Sequence, residues 1–252
     1  MLSTALRAAK AAGKVVMEQY GTAQTLFKGD GFGTGNIVTQ ADLDSERVIV
    51  KIIKEEFPEH NIFAEEEARE DNGSAYTWYI DPIDGTSNFS RNIPLFGISI
   101  GLVKDTQPIV GVLFFPALDL LVHAEHGKGA FANDKRVRVS QRALHKALYY
   151  GHGYHEGEML IHKQIIDHVG IVKVIDASSF ELAQIALGDA ELYILPTSVH
   201  DVAAGAVIVR EAGGIVSDYQ GNPWTTASAG IVASNNVIHS DVIALLRRAN
   251  LL

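Results

Sequence analysis

The chain has no cysteine among its 252 residues. That excludes a disulfide framework and fits a reducing compartment. Long apolar runs are missing too. No stretch approaches the roughly 20 residues that a membrane span needs, so no membrane partner is expected. The opening Met1-Leu-Ser-Thr-Ala-Leu-Arg7 reads as an amphipathic helix rather than the uninterrupted apolar core of a signal peptide. A cytoplasmic location is the expectation. Positive charge is in short supply: 21 Lys and Arg stand against 30 Asp and Glu, for a formal charge of −9. Such a balance argues against a nucleic-acid surface. There are no repeats and no low-complexity tracts. Residues 28–35 form a glycine-rich stretch but lack the Gly-Lys-Ser/Thr of a P-loop. They read either as a flap near a site or as a plain flexible connection.

What is present fits a globular enzyme. The hydrophobic fraction is 47%, an ordinary value. The length can bury a large core, as one large domain or two smaller ones. The densest chemistry lies in Tyr79-Ile-Asp-Pro-Ile-Asp-Gly-Thr-Ser-Asn-Phe89. An apolar run, Thr77-Trp-Tyr-Ile80, reads as a strand, and Pro82 and Gly85 then predict a sharp turn. Asp81 and Asp84 at the end of that strand can converge on a hard divalent cation, which takes oxygen ligands. Gly85, Thr86 and Ser87 add backbone N–H groups and two hydroxyls. A helix starting there would favour an anion at its N-terminus. The plain alternative is a solvated Asp-Pro turn followed by an Asp-Gly turn.

Three further acidic segments bear on this choice. Ile62-Phe-Ala-Glu-Glu-Glu67 brings at least one glutamate to a strand end, or else forms an acidic surface loop. Val38-Thr-Gln-Ala-Asp42 opens a helical pattern through Leu43, Val48, Ile49, Ile52, Ile53 and Phe57, stopped by Pro58. There Asp42 or Thr39 is also a candidate cap. His200-Asp201 opens a small-residue helix ending in Gly213-Gly214, with Asp201 in its first turn. The alanines and Gly205 of that helix suggest close helix packing.

Together the four segments resemble the inositol monophosphatase family, the lithium-sensitive, Mg²⁺-dependent phosphatases. Trp78 to Phe89 fits the family's W-x-x-D-P-I-D-G-T-x-N-F signature. Asp201 to Gly214 fits its second, W-D-x-A-A-G-x-x-I-x-x-E-A-G-G, apart from the leading aromatic. Pro94 to Gly101 and the Gly127-Lys-Gly-Ala-Phe131 turn follow in the order the family shows. The resemblance spans nearly the whole chain. It implies an α+β fold, a layered α-β-α-β-α sandwich. Residues 1–138 would form an N-terminal domain with most metal ligands, and residues 139–252 a C-terminal domain supplying the last one.

The resemblance also implies roles. Glu65, Asp81, Asp84 and Asp201 would ligate metal, with the main-chain carbonyl of Ile83 as a further ligand; Glu66 is the neighbouring choice for Glu65. Asp42 and Thr86 would orient the attacking water, with Glu65 beside them as a catalytic group. Gly85, Thr86 and Ser87 would hold the phosphate. Two or three Mg²⁺ ions are implied, with Mn²⁺ as a substitute and Li⁺ as an inhibitor. The substrate would be a small phosphorylated metabolite and the assembly a homodimer. The chain has no cysteine for a cysteinyl-phosphate route, and an aspartyl-phosphate route stays open; metal-bound water attacking phosphorus needs only groups that the resemblance supplies.

Departures from the family pattern fall on the alcohol side of the substrate. His200 stands where a tryptophan is usual, Ser87 where a second threonine is common, and Ala177 where a glycine is common. In inositol-specific members a glutamate upstream of the last metal aspartate contacts a substrate hydroxyl. Here the corresponding Leu192-Tyr-Ile-Leu-Pro-Thr-Ser198 carries no carboxylate. Glu181, Ser178 and His200 are the candidates to supply the contact instead, and packing beside the helix is the alternative for His200. The expected activity is hydrolysis of a small sugar or polyol phosphate. Fructose bisphosphate, histidinol phosphate or a nucleotide 3′-phosphate are alternative substrates, and a regulatory binding protein is the remaining alternative. His123 and His126 read as strand-end residues, and His152, His155 and His162 as solvated surface.

Overall fold

The computed structural model describes residues 1–22, 25–27, 37–151, 156–196 and 198–248. The glycine-rich stretch 28–35 and the histidines at 152 and 155 lie outside them. The chain begins with α1 (Leu2–Gln19), the short strands β1 (Thr25–Phe27) and β2 (Ile37–Thr39), and α2 (Gln40–Glu56). There follow β3 (Asn61–Ala64), β4 (Arg69–Glu70), β5 (Tyr76–Asp84), the short helix α3 (Thr86–Ser90), β6 (Gly97–Lys104), β7 (Gln107–Phe115), β8 (Leu120–Glu125), β9 (Gly129–Ala132) and β10 (Lys135–Arg136). The later part contains β11 (Leu148–Tyr150), α4 (Glu156–Ile165), β12 (Ile171–Lys173), α5 (Ser178–Leu187), β13 (Leu192–Pro196), α6 (Val199–Glu211), β14 (Ile215–Ser217), β15 (Gly230–Ser234) and α7 (His239–Arg248). No helix among the described residues is long and apolar enough to cross a membrane.

Two larger sheets organise the layers. One runs β10-β9-β8-β7-β6-β5-β3-β4, and the other β12-β11-β13-β15-β14. The apolar stripes of α1 (Ala5, Ala8, Ala9, Ala12, Val16) and α2 (Ile49, Ile53) pack on one face of the first sheet, against Ile62, Trp78, Ile80, Ile100 and Val112. Its other face meets α5 and α6, and Tyr150, Tyr193, Ile231 and Ala233 of the second sheet close that core from beyond. The far face of the second sheet is covered by α4 and α7 through Ile161, Ile165, Val242 and Leu246. The result is the expected α-β-α-β-α layering.

The central helix α6 is buried continuously from Val202 to Val209. Its small residues permit a close approach to the sheet. A Cβ on Gly111 of β7 would lie 2.3 Å from the carbonyl oxygen of Ala204. A helix so enclosed needs apolar or small residues all round, as found. The expectation of close packing for the alanines and Gly205 is met: a Cβ on Gly205 would meet the Leu182 side chain of α5 at 2.4 Å.

Two readings need correction. Pro82 was expected to end the strand after Ile80, but β5 continues to Asp84. The ladder with β3 stops at Ile80, and pairing with β6 shifts register between Asp81 and Asp84. Pro82 therefore removes no ladder hydrogen bond, the usual condition for proline in a strand. His162 is not solvated surface. It is half-buried, its ring centroid 5.6 Å from that of Tyr149. His123 is a strand residue as read, stacked on Phe131 at 5.7 Å.

Candidate active site

The bulge in β5 aims its carboxylates away from the ladder. Asp81 is 2% exposed and accepts a hydrogen bond from the N–H of Ile83 at 3.0 Å. Gly85 follows at φ +84°, where a Cβ would lie 2.9 Å from the Leu95 carbonyl oxygen. Only glycine fits there, and this bend starts α3. Helix geometry leaves the N–H groups of Thr86 and Ser87 without intrahelical partners.

Other elements bring their groups to the same place. Thr39 and Asp42 form a capping box at the start of α2. The Thr39 N–H and hydroxyl donate to Asp42 Oδ2 at 2.7 and 2.6 Å. The other oxygen of Asp42 lies 3.1 Å from Thr86 Oγ1. Thr86 Oγ1 is also 2.8 Å from the Ile83 carbonyl, so a single hydroxyl proton has two acceptors. Burial pushes the Asp42 carboxyl up to about 6, with the charge of Glu65 acting the same way.

The turn that follows Glu65 is held by a buried carboxylate that sequence reasoning missed. Glu46 of α2, 2% exposed, accepts the N–H groups of Glu66, Glu67 and Ala68 at 2.9, 2.8 and 2.7 Å. The N–H of Glu65 instead donates to the Ile80 carbonyl of β5 at 3.0 Å. Glu65 thus lines the cavity beside β5, whereas Glu66 is not among its lining residues.

From the later part of the chain, the N-terminus of α5 grips Asp84. Ser178 N–H and Ser179 N–H donate to Asp84 at 3.2 and 2.6 Å, and the Ser179 hydroxyl donates as well. Asp201 sits in the first turn of α6. Glu65, Asp81, Ile83, Asp84, Gly85, Thr86, Ser87, Ser178 and Asp201 all line one cavity of about 190 Å³, with Asp176, Ile37 and Leu195. Burial first, then neighbouring carboxylates, drives the Asp81 and Asp84 carboxyls well above their usual range; for Asp81 those are Glu65, Asp84, Asp201 and Asp42. So much acid in one place suits a hard cation, since Glu65, Asp81, Asp84 and Asp201 all offer oxygen atoms.

Some candidates behave differently. His200 is not among the lining residues. Its Nε2 is 2.8 Å from Ser198 Oγ and 3.5 Å from Asp201 Oδ1, and ligand atoms of Glu65, His200 and Asp201 lie within 4.8 Å of one another. Ser178 lines the cavity, with its Oγ accepting from the buried Tyr193 hydroxyl at 2.8 Å. Glu181 is fully buried and accepts from the Ile175 N–H at 3.3 Å, away from the cavity lining. The Ser87 hydroxyl donates to Asp176 Oδ2 at 2.6 Å. In this arrangement the Ser87 hydroxyl proton is directed at Asp176, while the residue itself lines the cavity. Asp176 was missed in the sequence, and so was the left-handed backbone that carries it, at φ +65°.

Comparisons with known proteins agree with this arrangement. The model of the inositol monophosphatase family matches residues 1–251. The chain is 33% identical to the inositol-1-monophosphatase of Mesorhizobium japonicum, over 98% of this chain and 96% of that protein. It is 32% identical to the fructose-1,6-bisphosphatase/inositol-1-monophosphatase of Thermotoga maritima, over 97% and 95%. The structure of a Thermotoga maritima IMPase superimposes with a TM-score of 0.89 at 30% identity, covering 99% of this chain and 97% of that one. With coverage this complete, the chain belongs to the inositol monophosphatase family, a family of metal-dependent phosphoric monoester hydrolases.

Proposed function

We propose that this enzyme hydrolyses a small sugar or polyol monophosphate, with Glu65, Asp81, Asp84, Asp201 and the Ile83 carbonyl holding two or three Mg²⁺ ions. The observation that carries this reading is the convergence of those residues, together with Thr86 and Gly85, on a single cavity of about 190 Å³. Bound there, Mg²⁺ would supply a more acidic water and offset the charge that develops during phosphoryl transfer.

The chain's own residues do the rest. The N–H groups of Thr86 and Ser87, at the start of α3, bind phosphate oxygens. Thr86 gives its single proton to Asp42 Oδ1 or to the Ile83 carbonyl. Its Oγ1 then keeps lone pairs that accept a hydrogen bond from the attacking water and fix that water's direction. Asp42, whose Oδ1 accepts from the Thr86 hydroxyl at 3.1 Å, fixes which way that hydroxyl points. Glu65, close enough to raise the Asp42 carboxyl, is the second carboxylate beside that water. Mn²⁺ substitution and Li⁺ inhibition belong to the same reading, as do a homodimer and a cytoplasmic setting; they rest on the family kinship and the cysteine-free composition.

A second reading, fructose 1,6-bisphosphate as a substrate, is favoured by the double name of the Thermotoga maritima relative. The test is phosphate release over a panel of inositol 1-phosphate, glycerol 2-phosphate, hexose phosphates, fructose 1,6-bisphosphate, histidinol phosphate and a nucleotide 3′-phosphate, with and without Mg²⁺. Monophosphates turned over only with Mg²⁺ is the expected result. Release confined to the bisphosphate would favour the second reading, and no release from any ester would reject both.

A further inference from the structure

The strand region 192–198 contributes Leu195 to the cavity, and no carboxylate. A carboxylate reaches the cavity from elsewhere: Asp176, in the turn between β12 and α5, lines it beside Gly85, Thr86, Ser87 and Ser178. Its backbone is at φ +65°, a region that non-glycine residues rarely occupy and in which aspartate and asparagine are enriched. Ala177, the position where the sequence pattern suggested a missing glycine, is instead extended at φ −153°.

The turn is held on both sides. Asn88 Nδ2 donates to the Ile175 carbonyl at 2.9 Å, and the Ser87 hydroxyl donates to Asp176 Oδ2 at 2.6 Å. That short, charge-assisted bond fixes the carboxylate. Among the described residues, Oδ1 has no donor. An oriented, half-buried carboxylate with a free oxygen in a substrate cavity is an acceptor awaiting a donor.

We propose that Asp176 is a specificity-determining residue, whose carboxylate accepts a hydrogen bond from a hydroxyl on the alcohol part of the phosphate ester. This rests on the phosphomonoesterase reading and adds to it: the favoured substrates are polyol monophosphates, with a hydroxyl near the ester. A hydroxyl bonded to a charged acceptor is worth about tenfold or more in kcat/KM.

The experiment compares glycerol 2-phosphate, which carries such hydroxyls, with phenyl phosphate, which carries none, at saturating Mg²⁺. Wild type, Asp176→Asn and Asp176→Gly are measured. Both replacements tolerate a left-handed backbone, and melting temperatures check folding. The glycerol 2-phosphate to phenyl phosphate ratio of kcat/KM should fall about tenfold in Asp176→Gly and by a smaller factor in Asp176→Asn. A ratio unchanged within about twofold in variants that melt like wild type overturns the inference, as does an equal loss on both esters. Wild type releasing phosphate from neither ester would instead refute the phosphomonoesterase reading, and the inference with it.

Discussion

Asp84 and Ser179, 95 residues apart in sequence, are joined by two hydrogen bonds: Ser179 N–H and Ser179 Oγ both donate to Asp84 Oδ2. The bond from the N–H is 2.6 Å, and both residues are buried. A single carboxylate thus serves as anchor for the N-terminus of α5 and as a wall of the catalytic cavity. The helix N-terminus favours its negative charge, while burial and Asp201 oppose it.

Ser179→Ala removes the hydroxyl donor and keeps the backbone one. A hydrogen bond to a charged group contributes about 1.5–3 kcal/mol, and alanine leaves little empty space. Urea denaturation of the metal-free protein should show a loss in that range. A loss under about 0.5 kcal/mol would mean that the hydroxyl bond does not hold the helix.

Asp81→Asn acts in the opposite direction on the metal-free fold. Asp81 is buried among like charges from Glu65, Asp84, Asp201 and Asp42. A neutral amide of the same shape removes that repulsion. The metal-free variant should melt at least about 2 °C above metal-free wild type, and Mg²⁺ should stabilise wild type far more than the variant. Equal stabilisation of both by Mg²⁺ would remove Asp81 from the ligand set.

Thr86→Ala should lower kcat by at least about a hundredfold with a much smaller change in KM, because a group that orients water acts mainly in the transition state. Thr86→Ser should recover most of the loss. A defect confined to KM would reassign Thr86 to phosphate binding.

His239 gives a pH signature remote from the cavity. It is 6% exposed, with Nδ1 2.7 Å from Ser234 Oγ and Nε2 2.9 Å from Ser217 Oγ, and burial lowers its pKa to about 4. The unfolded chain therefore binds a proton here that the folded one refuses. Its contribution is fully present above pH 6.5 and is lost as pH falls from 6.5 towards 4. Between pH 7.5 and 4.5 wild type should lose about 2–3 kcal/mol more than His239→Gln in urea titrations. Parallel losses in the two proteins would contradict this assignment.

The parts of the site legible in the sequence were those encoded locally. The Asp-Pro-Ile-Asp-Gly run sets a bulge, a bend and a helix start within a few residues, so Asp81, Asp84 and Gly85 could be read together. Helix α5 is also encoded locally: apolar residues recur through 178–187, and Gly188 closes it at φ +80°. What escaped depends on contacts distant in sequence. Glu46 lies on a helix where an isolated acid reads as exposed, yet three N–H groups about twenty residues later bury it. Asp176 lies in a turn with no periodicity, and its place in the cavity depends on Ser87 and Asn88. Glu191 is 1% exposed and bound by Arg142, Ser140 and the Leu148 N–H, a pairing no local pattern announces.

The central claim is that carboxylates from both parts of the chain hold the metal on which phosphate release depends. The direct measurement is Mg²⁺-dependent phosphate release from glycerol 2-phosphate by wild type, Asp84→Asn and Asp201→Asn, with circular dichroism to verify folding. Wild type should require Mg²⁺, and each variant should lose at least about a hundredfold in kcat/KM while remaining folded. Near-normal turnover by either folded variant at saturating Mg²⁺ would contradict it.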